Sequence, residues 1–219
     1  MNEWLNFDWE RRARSGIPEA VLGTGKTAAQ VLAIAQAALA KNANVLFTRL
    51  SDEQRETLRR AELSGLELHS DSATASTGRL AANADLSGRI GVVAAGSSDL
   101  SVAREAERTL WFHGVEEIPF VIDVGVAGLW RLMARIEELR ALKVIVAVAG
   151  MEGALFSVLA GQVPGLVIAV PTSVGYGVSA NGQAALHSAL ASCSPGVVAV
   201  NVDNGFGGAI AAMKAVGSP

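Results

Sequence analysis

Four short runs between residues 89 and 202 place the tightest limit on how this chain can fold. RIGVVAAG (89–96), KVIVAVAG (143–150), GLVIAV (165–170) and GVVAVNV (196–202) are rich in β-branched residues, apolar on both alternating faces, and end at glycine or a polar turn. A strand with no water-facing side belongs in the middle of a parallel sheet covered by helices. Segments with helical spacing fall between the runs, at 99–113, 126–140, 153–161, 180–192 and 206–216. Strand–helix alternation with short links predicts an α/β fold with an open, doubly wound parallel sheet in three layers. Ligands in such folds sit at the carboxyl ends of the strands. The polar segments AGMEGAL (149–155), PTSVGYG (171–177), SCSPG (192–196) and NVDNGFG (201–207) are all expected there.

The chain before this pattern differs in character. Residues 1–86 carry ten Lys/Arg and eleven Asp/Glu. A helix is predicted at 28–40, a strand at 45–48, and a charged helix from Ser51, which reads as its N-cap. The small, polar stretch 70–88 reads as a linker with a short strand. The expected division is a small N-terminal α/β domain at 1–86 and a larger domain at 87–219.

Charge narrows the function. The net charge is −3, and no basic cluster exceeds RRAR at 11–14. A nucleic-acid surface needs a basic stripe, so none is expected. One cysteine forms no internal disulfide. The N-terminal MNEWLNFDWERR lacks the pattern of a signal peptide, and no apolar run is long enough to span a membrane. A cytoplasmic protein is expected. From Gly153 onward only Asp203 and Lys214 carry formal charge. The helices at 180–192 and 206–216 therefore lack the charged face of a monomer's surface helix, which predicts a homo-oligomer.

Several segments could carry chemistry, each with a plainer reading beside it. LGTGKT (22–27) is a glycine turn into a helix, or an anion contact through Lys26 and the helix N-terminus. Ser97, Ser98 and Asp99 open a helix after a strand; they hold an anion or ribose, or they cap the helix. Glu152 is the only carboxylate between Glu138 and Asp203. It could move a proton or orient a substrate, or simply favour a helix dipole. Cys193 alone would be an apolar filler, or a nucleophile if its surroundings favour the thiolate. His69, His113 and His187 are too scattered for a metal cluster.

Taken in order, AAGSSDLSVAREA (94–106), IDVGVAGLWR (122–131), AGMEGAL, PTSVGYG, SCSPG and NVDNGFG resemble the LarB family. That family makes pyridinium-3,5-biscarboxylic acid mononucleotide, an early intermediate of the nickel-pincer nucleotide cofactor. RSGIPEAVLGTGKT (14–27) is also LarB-like, so the likeness covers nearly the whole chain. The part after Arg89 is similar to PurE, the aminoimidazole ribonucleotide carboxylase and mutase, which implies a PurE/flavodoxin-like sheet. Where PurE has a histidine, this chain reads Gly153-Ala154-Leu155.

The resemblance implies carboxylation of nicotinic acid adenine dinucleotide by carbon dioxide, with phosphoanhydride hydrolysis releasing AMP. The family's cysteine matches Cys193 as nucleophile, and its acid matches Glu152 within Gly150, Met151 and Gly153. Substrate contacts implied are Lys26; Ser97, Ser98 and Asp99; Asp123; Pro171, Thr172, Ser173, Gly175 and Tyr176; and Asp203 and Asn204. The family's hydrolysis step uses magnesium, for which no ligand set is legible here, and no organic cofactor. An octamer, as in PurE-like proteins, is the assembly implied. The chain departs from the family at Thr24, at Trp130 and at Ser97. The alternatives are a PurE-like enzyme and a non-catalytic nucleotide-binding protein.

Overall fold

The computed structural model describes residues 6–217, so the first five residues of the N-terminal segment lie outside the described part. In chain order the first unit contains α1 (Arg11–Ser15), β1 (Val21–Leu22), α2 (Ala28–Ala40), β2 (Leu46–Thr48), α3 (Asp52–Arg60), β3 (Glu67–His69) and β4 (Thr74–Ser76). The second contains β5 (Ile90–Ala94), α4 (Leu100–Phe112), β6 (Phe120–Val121), α5 (Leu129–Met133), α6 (Ile136–Arg140) and β7 (Val144–Ala149). It continues with α7 (Ala154–Ala160), β8 (Leu166–Pro171), α8 (Gln183–Leu190), β9 (Val197–Ala199) and α9 (Gly205–Val216).

The strands form two sheets. The second sheet is all parallel, in the order β6-β5-β7-β8-β9, which is 2-1-3-4-5 when counted from β5. That is the flavodoxin-like order. Side chains alternate between its faces as strand geometry requires. Val93, Ile145, Ala147 and Val167 pack under α5 to α8 on one face. Val92, Val146, Val148 and Val170 pack under α4 and α9 on the other. The three-layer expectation therefore holds.

The first sheet has the order β1-β2-β4-β3, with β1 and β2 parallel and the remaining pairs antiparallel. It has its own core of Val31, Ile34, Phe47, Leu58 and neighbours. Both long helices of this unit start with a capping box: Thr27 with Gln30, and Ser51 with Gln54. The unit docks on α4, where Asp71 lies 3.7 Å from Arg104, and the Leu80 amide donates to the Phe112 carbonyl at 2.9 Å.

Two expectations need correction. The helix predicted over 126–140 is broken into a short 3-10 turn, α5 and α6, with Arg135 at φ −111° between the last two. Leu132, Ile136 and Leu139 still face one core across the break, so periodicity was legible where continuity was not. SCSPG (192–196) follows α8 and precedes β9, so it lies at the amino end of a strand, opposite the other polar segments. A crossover helix runs antiparallel to its sheet, so a helix-to-strand loop returns to the amino edge. The inward face of α9 is closely packed. It packs on α4 and the sheet, where a Cβ on Gly208 would stand 2.6 Å from Val170 and one on Gly205 2.3 Å from the Val102 carbonyl. The glycines of NGFGG thus permit close approach.

Candidate active site

The carboxyl edge of the second sheet carries a crevice of about 240 Å³. It lies where β5 and β7 part, the point at which successive crossovers leave the sheet on opposite faces. The loops after β5 and β7 supply its walls, with Gly125–Ala127 and Val174. The β7 loop is held in an unusual shape. Met151 has φ 51° and Gly153 φ 65°, and the Met151 amide donates to the Val174 carbonyl at 2.8 Å. A Cβ on Gly150 would stand 2.3 Å from that same carbonyl, so only glycine fits. The turn leaves Glu152 exposed on the crevice lining, immediately before α7.

Asp99 lies beneath the crevice and is buried. Its Oδ1 accepts from the Thr172 hydroxyl at 2.6 Å and its Oδ2 from the Gly96 amide at 3.0 Å. Burial pushes its carboxyl above the usual range, and these hydrogen bonds pull it back. Asp99 therefore ties the loops after β5 and β8 together.

Beside the crevice, and sharing Ser98 and Val174 with it, runs a larger cleft of about 590 Å³ between the two units. One wall is the carboxyl edge of β1 and β2: the Gly23–Lys26 loop and Arg49–Ser51. The other is the start of α4, with Ser173 and Asp203. Gln54, buried, donates to the carbonyls of Gly23 at 2.9 Å and Lys26 at 2.7 Å, which fixes the loop. Glu105 closes the floor, accepting from the Thr48 hydroxyl of the first unit and the Gly205 amide of α9. Burial raises its pKa, while the Thr48 hydrogen bond and Arg49 oppose the rise.

The residues expected at the site divide accordingly. Ser98, Asp99, Gly150, Met151, Glu152 and Gly153 line the crevice, while Lys26, Ser98, Ser173 and Asp203 line the cleft. Pro171 and Thr172 are buried behind them. Asn204 caps α9, its side chain accepting from the Gly207 amide at 2.8 Å. Asp123 pairs with Arg131 outside both cavities, next to the exposed Trp130. Thr24 lines the cleft. Ser97 is exposed, as are Tyr176 and neighbouring residues of the β8 loop.

Cys193 does not join them. It is exposed, and its neighbours bind mid-α7: Ser192 Oγ lies 2.8 Å from Ser157 Oγ, and Ser194 Oγ donates to the Ser157 carbonyl at 2.8 Å. Glu152 precedes the start of that helix and Ser157 is at its middle, so about half of α7 stands between Glu152 and the residues flanking Cys193. The histidines also stay apart: His113 is buried with its pKa lowered to about 4, and His187 is exposed on α8. Among the described residues no three His, Cys, Asp or Glu side chains converge on a point that could hold a metal.

Arg49, Gln54 and Glu105 were not singled out in the sequence. Arg49 had a signal, because it follows a predicted strand and precedes a predicted helix. Glu105 had a weaker one, as a carboxylate beside the apolar face formed by Ala103, Ala106 and Leu110.

The fold is a three-layer α/β domain with its crevice at the strand ends, and the families its sequence matches make it a carboxylase-type enzyme. Residues 2–78 match the family described as LarB/PurE-like N-terminal domain, and residues 89–218 match AIR carboxylase. The chain belongs to the LarB family, with a PurE-like C-terminal domain. It is 37% identical over 216 residues to uncharacterized protein MJ0165 of Methanocaldococcus jannaschii, covering 96% of this chain and 83% of that one. Crystal structures of a single-substitution variant of PurE2 and of PurE, both from Treponema denticola, are similar at TM-score 0.46, with 25% and 23% identity, covering 57% of this chain and 77% of theirs. Among the described residues no helix is long and apolar enough to cross a membrane.

Proposed function

We propose that this chain carboxylates the pyridinium ring of nicotinic acid adenine dinucleotide with carbon dioxide and hydrolyses its phosphoanhydride. The products are AMP and pyridinium-3,5-biscarboxylic acid mononucleotide. The observation that carries this reading is the crevice itself: a carboxylase-type domain presents Glu152 there and, among its lining residues, no histidine.

A pyridinium carbon is a poor nucleophile. Addition of the Cys193 thiolate to C4 removes the ring cation and leaves an enamine. Its C5 attacks carbon dioxide, forming the new carbon–carbon bond and the carboxylate. Glu152 takes the C5 proton as the C4–sulfur bond breaks, which returns the thiolate and restores the aromatic cation. One difficult step becomes several easier ones. Water then cleaves the phosphoanhydride.

Within one chain Cys193 lines neither cavity, and we infer that the thiol reaching a ring held at Glu152 comes from a second copy. The exposed apolar side chains suit such an assembly: Val178 is 96% exposed, Tyr176 78%, Trp130 73% and Leu190 69%. Tyr176 and Val178 lie in the segment after β8 whose Val174 lines the crevice, and Leu190 ends the helix leading to Cys193.

The test incubates the full chain with the dinucleotide, bicarbonate and magnesium, and follows AMP and a product heavier by one carboxylate. Cys193→Ala is expected to lower turnover by about 10³-fold or more. Undiminished turnover in that variant, or none in the wild type, would defeat the reading. Co-expressing Cys193→Ala with Glu152→Gln chains should restore activity that neither has alone, because mixed assemblies hold some complete sites. The AIR carboxylase match favours a second reading, PurE-like turnover of aminoimidazole ribonucleotide, and the same assay with that substrate separates the two. Dinucleotide binding without turnover of either substrate would point to a non-catalytic protein.

A further inference from the structure

The reaction proposed above concerns one end of a dinucleotide, and the crevice of about 240 Å³ is small for the whole molecule. The cleft between the units is more than twice as large, opens from the crevice at Ser98 and Val174, and has no role in ring chemistry. A ligand leaving the crevice past Ser98 enters it directly.

The chemistry of the cleft suits a phosphate ester. Lys26 and Arg49 line it, and among the described residues neither side chain makes an ion pair or a hydrogen bond. Arg49 is held in the left-handed region, φ 54°, while its neighbour Leu50 is buried in the core of the first unit. A non-glycine residue is costly in that conformation, and its persistence points to function. The amides of Thr24 and Gly25 have no protein acceptor among the described residues. The two carboxylates of the cleft are already engaged, Glu105 as described and Asp203 Oδ1 by the Ser173 amide at 2.8 Å. Gln54 consumes the loop carbonyls, so the wall offers an anion donors in preference to acceptors. Leu50, Ala73 and Val102 supply the apolar surface a nucleobase needs.

We propose that this interdomain cleft is a nucleotide subsite, in which Lys26 and Arg49 hold the phosphates and the distal nucleoside of the substrate lies against the first unit. The assignment rests on the dinucleotide reading and gives the first unit its purpose: it selects a dinucleotide over a mononucleotide.

The test is isothermal titration of the full chain with AMP, with nicotinic acid mononucleotide and inorganic phosphate as comparators. Variants are Lys26→Gln and Arg49→Asn, the latter because asparagine tolerates positive φ. AMP should bind the wild type, and each variant should weaken it about tenfold or more, the scale of one charge-assisted contact. Mononucleotide affinity should stay within about twofold if it reports the crevice alone. The proposal is overturned by no AMP binding, by equal AMP affinity in both variants, or by a parallel loss for the mononucleotide. Phosphate binding as tightly as AMP also overturns it, reducing the cleft to an anion site. AMP binding that is lost in the variants, together with no dinucleotide turnover in the wild type, would uphold the subsite and refute only the proposed reaction.

Discussion

Asp99 stands just before α4 and Glu105 near its middle; both are buried carboxylates whose pKa burial raises, yet they organise different cavities. Asp99 binds groups from its own sheet edge, Gly96 and Thr172, and makes the crevice a rigid part of one unit. Glu105 binds Thr48 from the first unit and Gly205 from the second, so the floor of the cleft exists only while the units are docked. The contrast shows how one chemical device can serve reaction geometry in one place and assembly in the other. The crevice turns on a close backbone approach that only glycine allows at Gly150; the cleft is made of side chains meeting across an interface.

That comparison can be broken most sharply by paired glycine substitutions. Gly150→Ala would drive a Cβ to 2.3 Å from the Val174 carbonyl and move the Glu152 loop. Turnover should fall about 100-fold, the cost of misplacing a reacting group by about an ångström, while AMP affinity is kept. Gly23→Ala would place a Cβ 2.7 Å from Gln54 Oε1 and 2.8 Å from the Arg49 carbonyl, and should do the reverse, weakening AMP binding first. Equal effects of both substitutions on both readouts would mean that the two cavities are one.

Asp99→Ala is expected to cost about 2–3 kcal/mol in urea unfolding, because the buried Thr172 hydroxyl and the Gly96 amide lose their acceptor. An undiminished midpoint would show that these loops hold together without it.

The smallest effect is a pH dependence. Glu105 has its pKa raised above the usual 4.5 in the folded state, so between that value and the folded pKa the native state holds more protons than the unfolded one. Stability from this group is present below 4.5 and is lost as pH rises through the folded pKa. Glu105→Gln should flatten that part of a stability–pH curve measured by urea unfolding, and Thr48→Val should cost about 1 kcal/mol. A variant curve parallel to the wild type from pH 4 to 8 would assign the slope elsewhere.

Much of this architecture was legible in the residues. The four β-branched runs became β5, β7, β8 and β9, and Thr27 and Ser51 stand at the starts of α2 and α3. β6 was missed because Phe120–Val121 is too short to show alternation. Lys26, Ser98 and Glu152 could be picked out because a glycine or polar turn after a strand is a local signal. Arg49 and Glu105 were passed over because their importance comes from what faces them across the interface.

Local pattern determined the layers, the parallel strands and the glycine turns, since periodicity and backbone conformation are properties of neighbouring residues. Tertiary structure alone decided which loops share an edge. It set Cys193 apart from Glu152 within one chain, and it brought the carboxyl edge of β1 and β2 against α4 to make the cleft. The physical reason is that a crossover helix reverses the chain, so the end of the sheet that a loop reaches depends on the element before it and not on its own residues.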